Sequence, residues 1–570
     1  MSDPIIQFDH FSFQYHAQAE PTLRDITLSI RKGEKVLICG PSGCGKSTLA
    51  HCINGLIPHS YRGESTGRVS VGGRETKDIS LFEISRTVGT VLQDTDGQFV
   101  GMTVAEDIAF ALENDCVVDP ALHERVEKAA RAVGVETHLS HAPGDLSGGQ
   151  KQRVSLAGIL VDDVEVLLFD EPLANLDPAT GKAAIELIDE IGQQTGAAVV
   201  IIEHRLEDVL HRHMDRVILM GGGRILADVT PDELLAGSLL KENGIREPLY
   251  VTALKYAGVP ITAQAHPDSI EHMLLSESDK AAVRDWFCRT PPAPRSPERE
   301  TQLAVKDLRF AYDNGREALH GISLSVRKGE LGAIVGTNGA GKSTFCKLIC
   351  GFEKQQSGTI ALSGCDWASL SIKERADHVG YVMQNPNQMI SQTLIFDEVA
   401  LGLRTRGAAE DEVKARVEKT LKICGLWPFR SWPVSALSFG QKKRVTIAAI
   451  LVLEPEIILL DEPTAGQDYR HYTEIMEFLL DLNRRGITVL MVTHDMHLML
   501  EYARRAIVFS DGRLIADAKS AEILTDGEII RRASLKETSL YTLAKRCGIE
   551  DARAFVARFI DYERQEVRGT

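Results

Sequence analysis

The sequence predicts an α/β fold with a largely parallel central sheet, present in two copies. Three observations predict it. Within each half, β-branched apolar runs alternate with amphipathic stretches, the pattern of strands joined through helices. A strand-like run, "EKVLICG", leads directly into a glycine-rich loop, and a helix-like stretch, "KSTLAHCINGL", follows it. The same succession of segments then recurs in the second half of the chain.

Taken in order, the paired segments are these. "GPSGCGKST" begins at Gly40 and "GTNGAGKST" at Gly336. "VLLFDEP" ends at Pro172 and "IILLDEP" at Pro463. "VVIIEH" ends at His204 and "VLMVTH" at His494. "RVILMGGGRILAD" starts at Arg216 and "RAIVFSDGRLIAD" at Arg505. Lys342 lies 296 residues after Lys46, Glu462 lies 291 after Glu171, and His494 lies 290 after His204. Offsets this constant mark a duplicated domain rather than a solenoid of short repeats. The predicted organisation is a first domain over residues 4–240, an inter-domain region over 241–301, a second domain over 302–530 and a helical tail over 531–570. The inter-domain region ends in "RTPPAPRSPERE", whose four prolines argue for an extended linker. Before it, "SIEHMLLSESDKAAVRDWF" has helix-like apolar spacing, and "LAKRCGIEDARAFVARFIDYERQ" in the tail also reads as helical.

Bulk properties exclude several classes. A chain of 570 residues is too long for one core. A net charge of −16 argues against a broad nucleic-acid-binding surface. The ten cysteines include no CxxC pair, so zinc spacing is absent. Cys346 and Cys350, in the apolar "FCKLIC", read as buried thiols, and the overall usage suits a reducing, cytosolic compartment. The N-terminal stretch has no signal-peptide pattern. "AAVVII", among the longest apolar runs, suits a buried strand and is too short to cross a membrane.

The chemistry resides in five short motifs. In GxxxxGK[ST], glycines let backbone amides curl around phosphate oxygens while the following helix presents its positive end. The first loop comprises Gly40, Pro41, Ser42, Gly43, Cys44, Gly45, Lys46, Ser47 and Thr48. The second comprises Gly336, Thr337, Asn338, Gly339, Ala340, Gly341, Lys342, Ser343 and Thr344. Lys46 and Lys342 would neutralise the β- and γ-phosphates, and Ser47 and Ser343 would ligate Mg²⁺. An acidic pair closes an apolar run in each copy, Asp170-Glu171 and Asp461-Glu462. The Asp can hold Mg²⁺, and the Glu can orient or deprotonate an attacking water. Gln93 and Gln384 can touch both the metal and that water. His204 and His494 end strand patterns at matching registers after the Glu, which suits a γ-phosphate contact. Finally, Ser147, Gly148, Gly149 and Gln150 in "LSGGQ" open a helix and offer a hydroxyl and free amides to an anion. Their counterparts are Ser438, Phe439, Gly440 and Gln441; a Phe in place of Gly148 would cost backbone freedom.

Together these residues resemble the ATP-binding cassette (ABC) ATPases over most of the chain. Walker A, Q-loop, signature, Walker B, D-loop ("ANLD", Ala174 to Asp177; "AGQD", Ala465 to Asp468) and switch histidine occur in family order, twice. The resemblance implies two tandem P-loop NTPase domains, each with a RecA-like mostly parallel core, an antiparallel β subdomain and a helical signature subdomain. It implies ATP and Mg²⁺ as ligands, with Gln93 and Gln384 joining Ser47, Asp170, Ser343 and Asp461 around the metal, and Tyr15 and Tyr312 stacking on adenine. The family closes as a head-to-tail sandwich of two cassettes. Here that closure would be intramolecular, with one site using Lys46, Gln93, Glu171 and His204 against Ser438 and Gly440. The other would use Lys342, Gln384, Glu462 and His494 against Ser147 and Gly149.

The stretch "VLQDTDGQFVGMTVAEDIAFALEN" is similar to the Q-loop and following helix of energy-coupling-factor and cobalt-type importers. "VMQNPNQMISQTLIFDEVALGL" is similar too, although its Gln-to-Gln string is one residue shorter. The resemblance implies an ATPase subunit of an importer for a vitamin, a vitamin precursor or a cobalt or nickel ion. Such a subunit sits on the cytoplasmic face of the membrane against a transmembrane scaffold and a small membrane substrate-binding subunit, with no nucleic-acid partner. The rival reading is a soluble tandem-cassette translation factor on the ribosome. Those proteins carry a basic linker, whereas Lys241 to Glu300 holds 8 Lys/Arg against 9 Asp/Glu and offers phosphate backbone no attraction.

Overall fold

The computed structural model describes residues 4–92, 96–174, 176–292, 299–313, 315–464 and 467–567. The chain divides into two compact units, residues 1–285 and 286–570.

The first unit opens with strands β1 (Pro4–Tyr15) and β2 (Leu23–Arg31), followed by β3 (Lys35–Cys39) and helix α1 (Lys46–Ile53). Then come β4 (Gly63–Val71), β5 (Arg74–Glu75), β6 (Val88–Val91), α2 (Val104–Asn114), α3 (Ala121–Val133) and α4 (Gly148–Leu160). The second half of the unit supplies β7 (Val166–Asp170), α5 (Pro178–Thr195), β8 (Ala198–Ile202), β9 (Arg216–Gly221) and β10 (Arg224–Val229).

Two sheets result. One is antiparallel, in the order β2-β1-β4-β5. The other runs β10-β9-β3-β8-β7-β6 and is parallel except for its edge strand β10. The parallel strands are continuous apolar runs because both of their faces are covered. Alternation along β3 shows it: Leu37 and Cys39 pack toward the helical side, Val36 and Ile38 toward the antiparallel sheet and α1. Polar chemistry is thereby confined to the carboxyl ends of the strands, where loops leave the sheet.

A short helix, α6 (Leu249–Tyr256), follows the sheet, and α7 (Glu277–Arg289) contains the division between the units. The helical expectation for "SIEHMLLSESDKAAVRDWF" is met only from Glu277 onward.

The second unit repeats the plan. Its strands are β11 (Thr301–Ala311), β12 (Glu317–Arg327), β13 (Leu331–Gly336), β14 (Ser357–Leu362), β15 (Cys365–Asp366), β16 (Val379–Val382), β17 (Ile457–Asp461), β18 (Thr488–Val492), β19 (Arg505–Ser510) and β20 (Arg513–Lys519). Its sheets are β12-β11-β14-β15 and β16-β17-β18-β13-β19-β20. Its helices include α8 (Lys342–Cys350), α9 (Ile395–Arg404), α10 (Glu410–Ile423), α11 (Phe439–Leu451) and α12 (Tyr469–Arg484). Cys346 and Cys350 are buried free thiols on α8. The tail carries helices α13 (Ser539–Arg546) and α14 (Ala552–Tyr562), separated at Gly548, whose φ is +72°.

The duplication extends beyond the sheets. Helices α6 and α13 both end in a left-handed glycine, Gly258 at φ +76° and Gly548 at φ +72°. In each, the next amide turns back to the helix, Val259 to the Leu254 carbonyl and Ile549 to the Ala544 carbonyl. The strings "ALKYAGV" and "LAKRCGI" carry this match.

Candidate functional site

Each glycine-rich loop joins the central strand of its parallel sheet to a helix, β3 to α1 and β13 to α8. The residues before the helices, Gly45 and Gly341, stand at φ +103° and +94°, open to glycine and hostile to a Cβ. Lys46 and Lys342 are buried, 5% and 6% exposed, and their ammonium groups lie over their own loops. Lys46 Nζ donates to the carbonyls of Gly40 at 2.8 Å and Pro41 at 3.0 Å. Lys342 Nζ donates to those of Gly336 at 2.9 Å and Thr337 at 2.8 Å. A cation curled over a ring of amides is poised for an anion.

The acidic pairs end β7 and β17, one strand removed from the loops. Glu171 and Glu462 hold φ of +51° and +44°, left-handed values that a non-glycine residue adopts only under constraint. Their amides bond to the carbonyls of Ile202 and Val492, which pins the turn. Ser343 Oγ donates to Asp461 Oδ2 at 3.0 Å. Ser47 bonds to Asp170 in the same way, while Asp170 Oδ1 is buried without a hydrogen-bond partner. Burial, and secondarily the charge of Glu171, push Asp170 up to about 6. A hydroxyl beside an under-satisfied carboxylate is a hard oxygen donor set that fits Mg²⁺.

The histidines complete the cluster. His204 follows β8, the parallel neighbour of β7, so 33 residues of sequence collapse to one 2.7 Å hydrogen bond between His204 Nε2 and Glu171 Oε1. In the second unit His494 Nε2 lies 3.4 Å from Glu462 Oε1, which has no hydrogen bond of its own. Both glutamates are similarly enclosed, with side chains 15% and 14% exposed. Burial raises both, but in Glu171 the hydrogen bond and attraction of His204 outweigh it and the carboxyl falls below its ordinary value. Glu462 lacks that bond, and burial with the neighbouring Asp461 charge lifts it to about 8.

The signature residues sit at the starts of α4 and α11. Ser147 and Ser438 are N-caps, and each forms a reciprocal box with the glutamine three residues on. Ser147 N donates to Gln150 Oε1 at 2.8 Å, and Ser438 N donates to Gln441 Oε1 at 3.0 Å. The signature is therefore also a helix-start device. Phe439 occupies the first helical position, as Gly148 does, and neither requires a positive φ. The expected backbone cost of Phe439 does not arise, because an ordinary helical conformation accepts any side chain; the ring is 42% exposed.

Tyr15 and Tyr312 stand beside the loops, their hydroxyls paired with Thr48 Oγ1 at 3.2 Å and Thr344 Oγ1 at 2.9 Å. Tyr15 also meets the ring of Tyr61 edge-on at 6.2 Å. Gln384 is exposed just beyond β16, next to β17. Gln93, and with it Asn175, Ala465 and Gly466 of the two D-loops, lie outside the described residues. The shorter string after Gln384 does not shorten the connection: α2 and α9 begin equally far beyond Gln93 and Gln384.

One residue near the acidic pair escapes motif reading. Tyr381 donates its hydroxyl to Asp461 Oδ2 at 2.8 Å, and the first copy has Thr90 at that place. Aligning "VGTV" with "VGYV" is the signal that exposes it.

Comparison with known proteins identifies the chain's family. The family model described as "ABC transporter" matches residues 23–174 and 319–465. A second, described as "ATP-binding cassette cobalt transporter", matches residues 237–310. A protein named as an ABC transporter ATP-binding protein in Clostridium perfringens is 57% identical, the match covering 98% of this chain and 98% of that one. A likewise named protein in Enterococcus faecalis is 56% identical over 99% of both chains. Among solved structures, cbiO1 of Clostridium perfringens, described as part of the transporter complex cbiONQ, is 36% identical with a TM-score of 0.38, covering 41% of this chain and 94% of that one. The chain belongs to the ABC transporter ATP-binding proteins, a family of ATPases, and carries two of the family's cassettes.

Proposed function

We propose that the protein is the ATP-hydrolysing subunit of an importer of the energy-coupling-factor or cobalt type, acting at the cytoplasmic face of the membrane. The observation that carries the hydrolytic part is the strained Glu beside a histidine at the end of β7 and again at the end of β17. The match of residues 237–310 to a cobalt-transporter cassette family supports the importer part, as do the importer-like strings after Gln93 and Gln384. Among the described residues no helix is long and apolar enough to cross a membrane. The partners are a transmembrane scaffold and a small membrane-embedded substrate binder; the cargo class is a vitamin, a vitamin precursor or a cobalt or nickel ion.

In this reading the loop amides and Lys46 or Lys342 take the β- and γ-phosphates of ATP, and Tyr15 or Tyr312 takes the adenine. Mg²⁺ would be held by Ser47 and Asp170, or by Ser343 and Asp461, with Gln93 or Gln384 beside them, and would offset phosphate charge. Glu171 or Glu462 orients a water and accepts its proton as the oxygen attacks the γ-phosphorus in line. The bond from that phosphorus to the bridging oxygen breaks, leaving ADP and phosphate. His204 or His494 holds the Glu and faces the γ-phosphate. Ser438 and Gly440 complete the first site and Ser147 and Gly149 the second, so ATP between the copies favours a closed state and hydrolysis releases it. Domains 4–240 and 302–530 are the cassettes, and the segments 241–301 and 531–570 are accessory to them.

Two measurements test this. Glu171→Gln and Glu462→Gln should each lower ATPase turnover at least about tenfold at the altered site. A variant that keeps the full rate identifies its site as a relic. Affinity capture from detergent-solubilised membranes should recover a polytopic scaffold protein; recovery of ribosomes alone would overturn the importer assignment.

A further inference from the structure

The two copies differ at one buried position beneath the acidic pair. In the first, Gln152 on α4 donates its amide to the Pro172 carbonyl at 2.6 Å. In the second, the aligned residue is Lys443 on α11, 0% exposed. A buried ammonium is costly unless its protons are placed, and the first copy shows that a neutral side chain can occupy this position. Lys443 places its protons: Nζ donates to the carbonyls of Met383 and Gln384, both at 2.8 Å. The Asp461 carboxylate also acts on it and offsets part of the cost of burial.

The surrounding contacts also differ between the copies. In the first copy the segment leading into the Q-loop is closed by its own chain. Gln98 accepts from the Leu92 amide at 3.2 Å and donates to the Thr90 carbonyl at 3.0 Å. In the second copy Met389 takes that place: its Sδ accepts from the Met383 amide at 3.2 Å, and a thioether has no proton to give back. Tyr381, two residues earlier, is fixed to Asp461. The strand end and loop from Tyr381 to Gln384 are thus held at one end by the acidic pair and at the other by the signature helix.

We propose that Lys443 is a positioning residue that ties the Q-loop of the second cassette to the helix carrying its signature motif, and so sets Gln384 for turnover at the Glu462 site. The inference rests on the assignment of Gln384 and Glu462 to hydrolysis. Removing the tie leaves Lys342 and the phosphate loop intact, so nucleotide affinity stays while turnover falls.

The test uses the full chain with one site silenced. In a Glu171→Gln background, Lys443→Met should lower kcat roughly tenfold while leaving KM for ATP within about twofold, since a small misplacement of a reacting group costs this much. Lys443→Gln, a side chain too short to reach both carbonyls but accommodated at this place in the first copy, should do the same, and Lys443→Arg should restore most of the rate. In a Glu462→Gln background the same substitutions should cost less than about twofold. An unchanged kcat in the first background overturns the proposal, as does an equal loss in both, which would mark Lys443 as a general packing residue. The assignment beneath it fails separately: if the two parent Glu→Gln chains hydrolyse ATP at the full rate, these carboxylates are not the hydrolytic groups, whatever Lys443 does.

Discussion

Glu171 and Glu462 share a position, a strained backbone and a low side-chain exposure, yet they ionise in opposite senses: His204, by hydrogen bond and charge, lowers Glu171, whereas burial and the neighbouring Asp461 charge raise Glu462. The consequence is measurable without nucleotide or metal. Glu462 is raised from 4.5 to about 8, so its contribution to stability is present below 4.5 and is lost as pH climbs through 8. Glu171 is lowered, so its contribution is present above its ordinary value and is lost on acidification. Thermal unfolding in EDTA at pH 9 should therefore show Glu462→Gln to be more stable than the parent. Glu171→Gln should be less stable by about 1 kcal/mol, having lost a charge-assisted bond to His204. The opposite order of the two variants would contradict the assignment. At this scale the sequence was informative wherever chemistry is packed into consecutive residues. Lys46, Ser47, Asp170 and Glu171 announce themselves by spacing. Tyr381 and Lys443 do not, since their partners lie 80 and 59 or 60 residues away and only the sheet brings them together.

At the scale of elements, strands were the most legible part. Runs such as Ala198–Ile202 are apolar on both faces and could be little else. The antiparallel sheet was expected from family resemblance rather than from any alternation read directly. The tail reads as helical from its apolar spacing, and the structure divides it at Gly548, whose left-handed conformation reverses the chain there. That reversal folds α14 back onto the end of α7. Trp286 meets Phe555 at 5.8 Å and Tyr562 at 5.6 Å, and Arg558 donates to the Phe287 carbonyl at 2.6 Å. Trp286 is 9% exposed, so Trp286→Ala should cost about 3 kcal/mol in chemical denaturation of the second unit. A loss under about 1 kcal/mol would show that the cluster does not hold the tail.

For the whole molecule, the composite-site reading makes a prediction that independent cassettes would not share. If each ATP must be covered by the other copy, removing nucleotide binding at one site also removes the closure that the other site uses. Lys46→Ala and, separately, Lys342→Ala should then each leave well under half of the parent ATPase rate. Retention of about half in both variants would mean two cassettes working alone. The existence of two copies was plain from constant offsets. The repeat unit runs on through α6 and α13, where the sequence match is short and only the shared glycine turn reveals it.

Covalent linkage of the copies has a genetic corollary. A self-associating single cassette must place the same side chain at both of its equivalent positions, so any change is made twice. Joining the copies in one reading frame lifts that restriction and fixes their stoichiometry at one to one. Thr90 against Tyr381, Gln152 against Lys443 and Gly148 against Phe439 are differences that a self-associating single cassette could not carry. Each half of such a chain can change one side chain while the other half keeps its own.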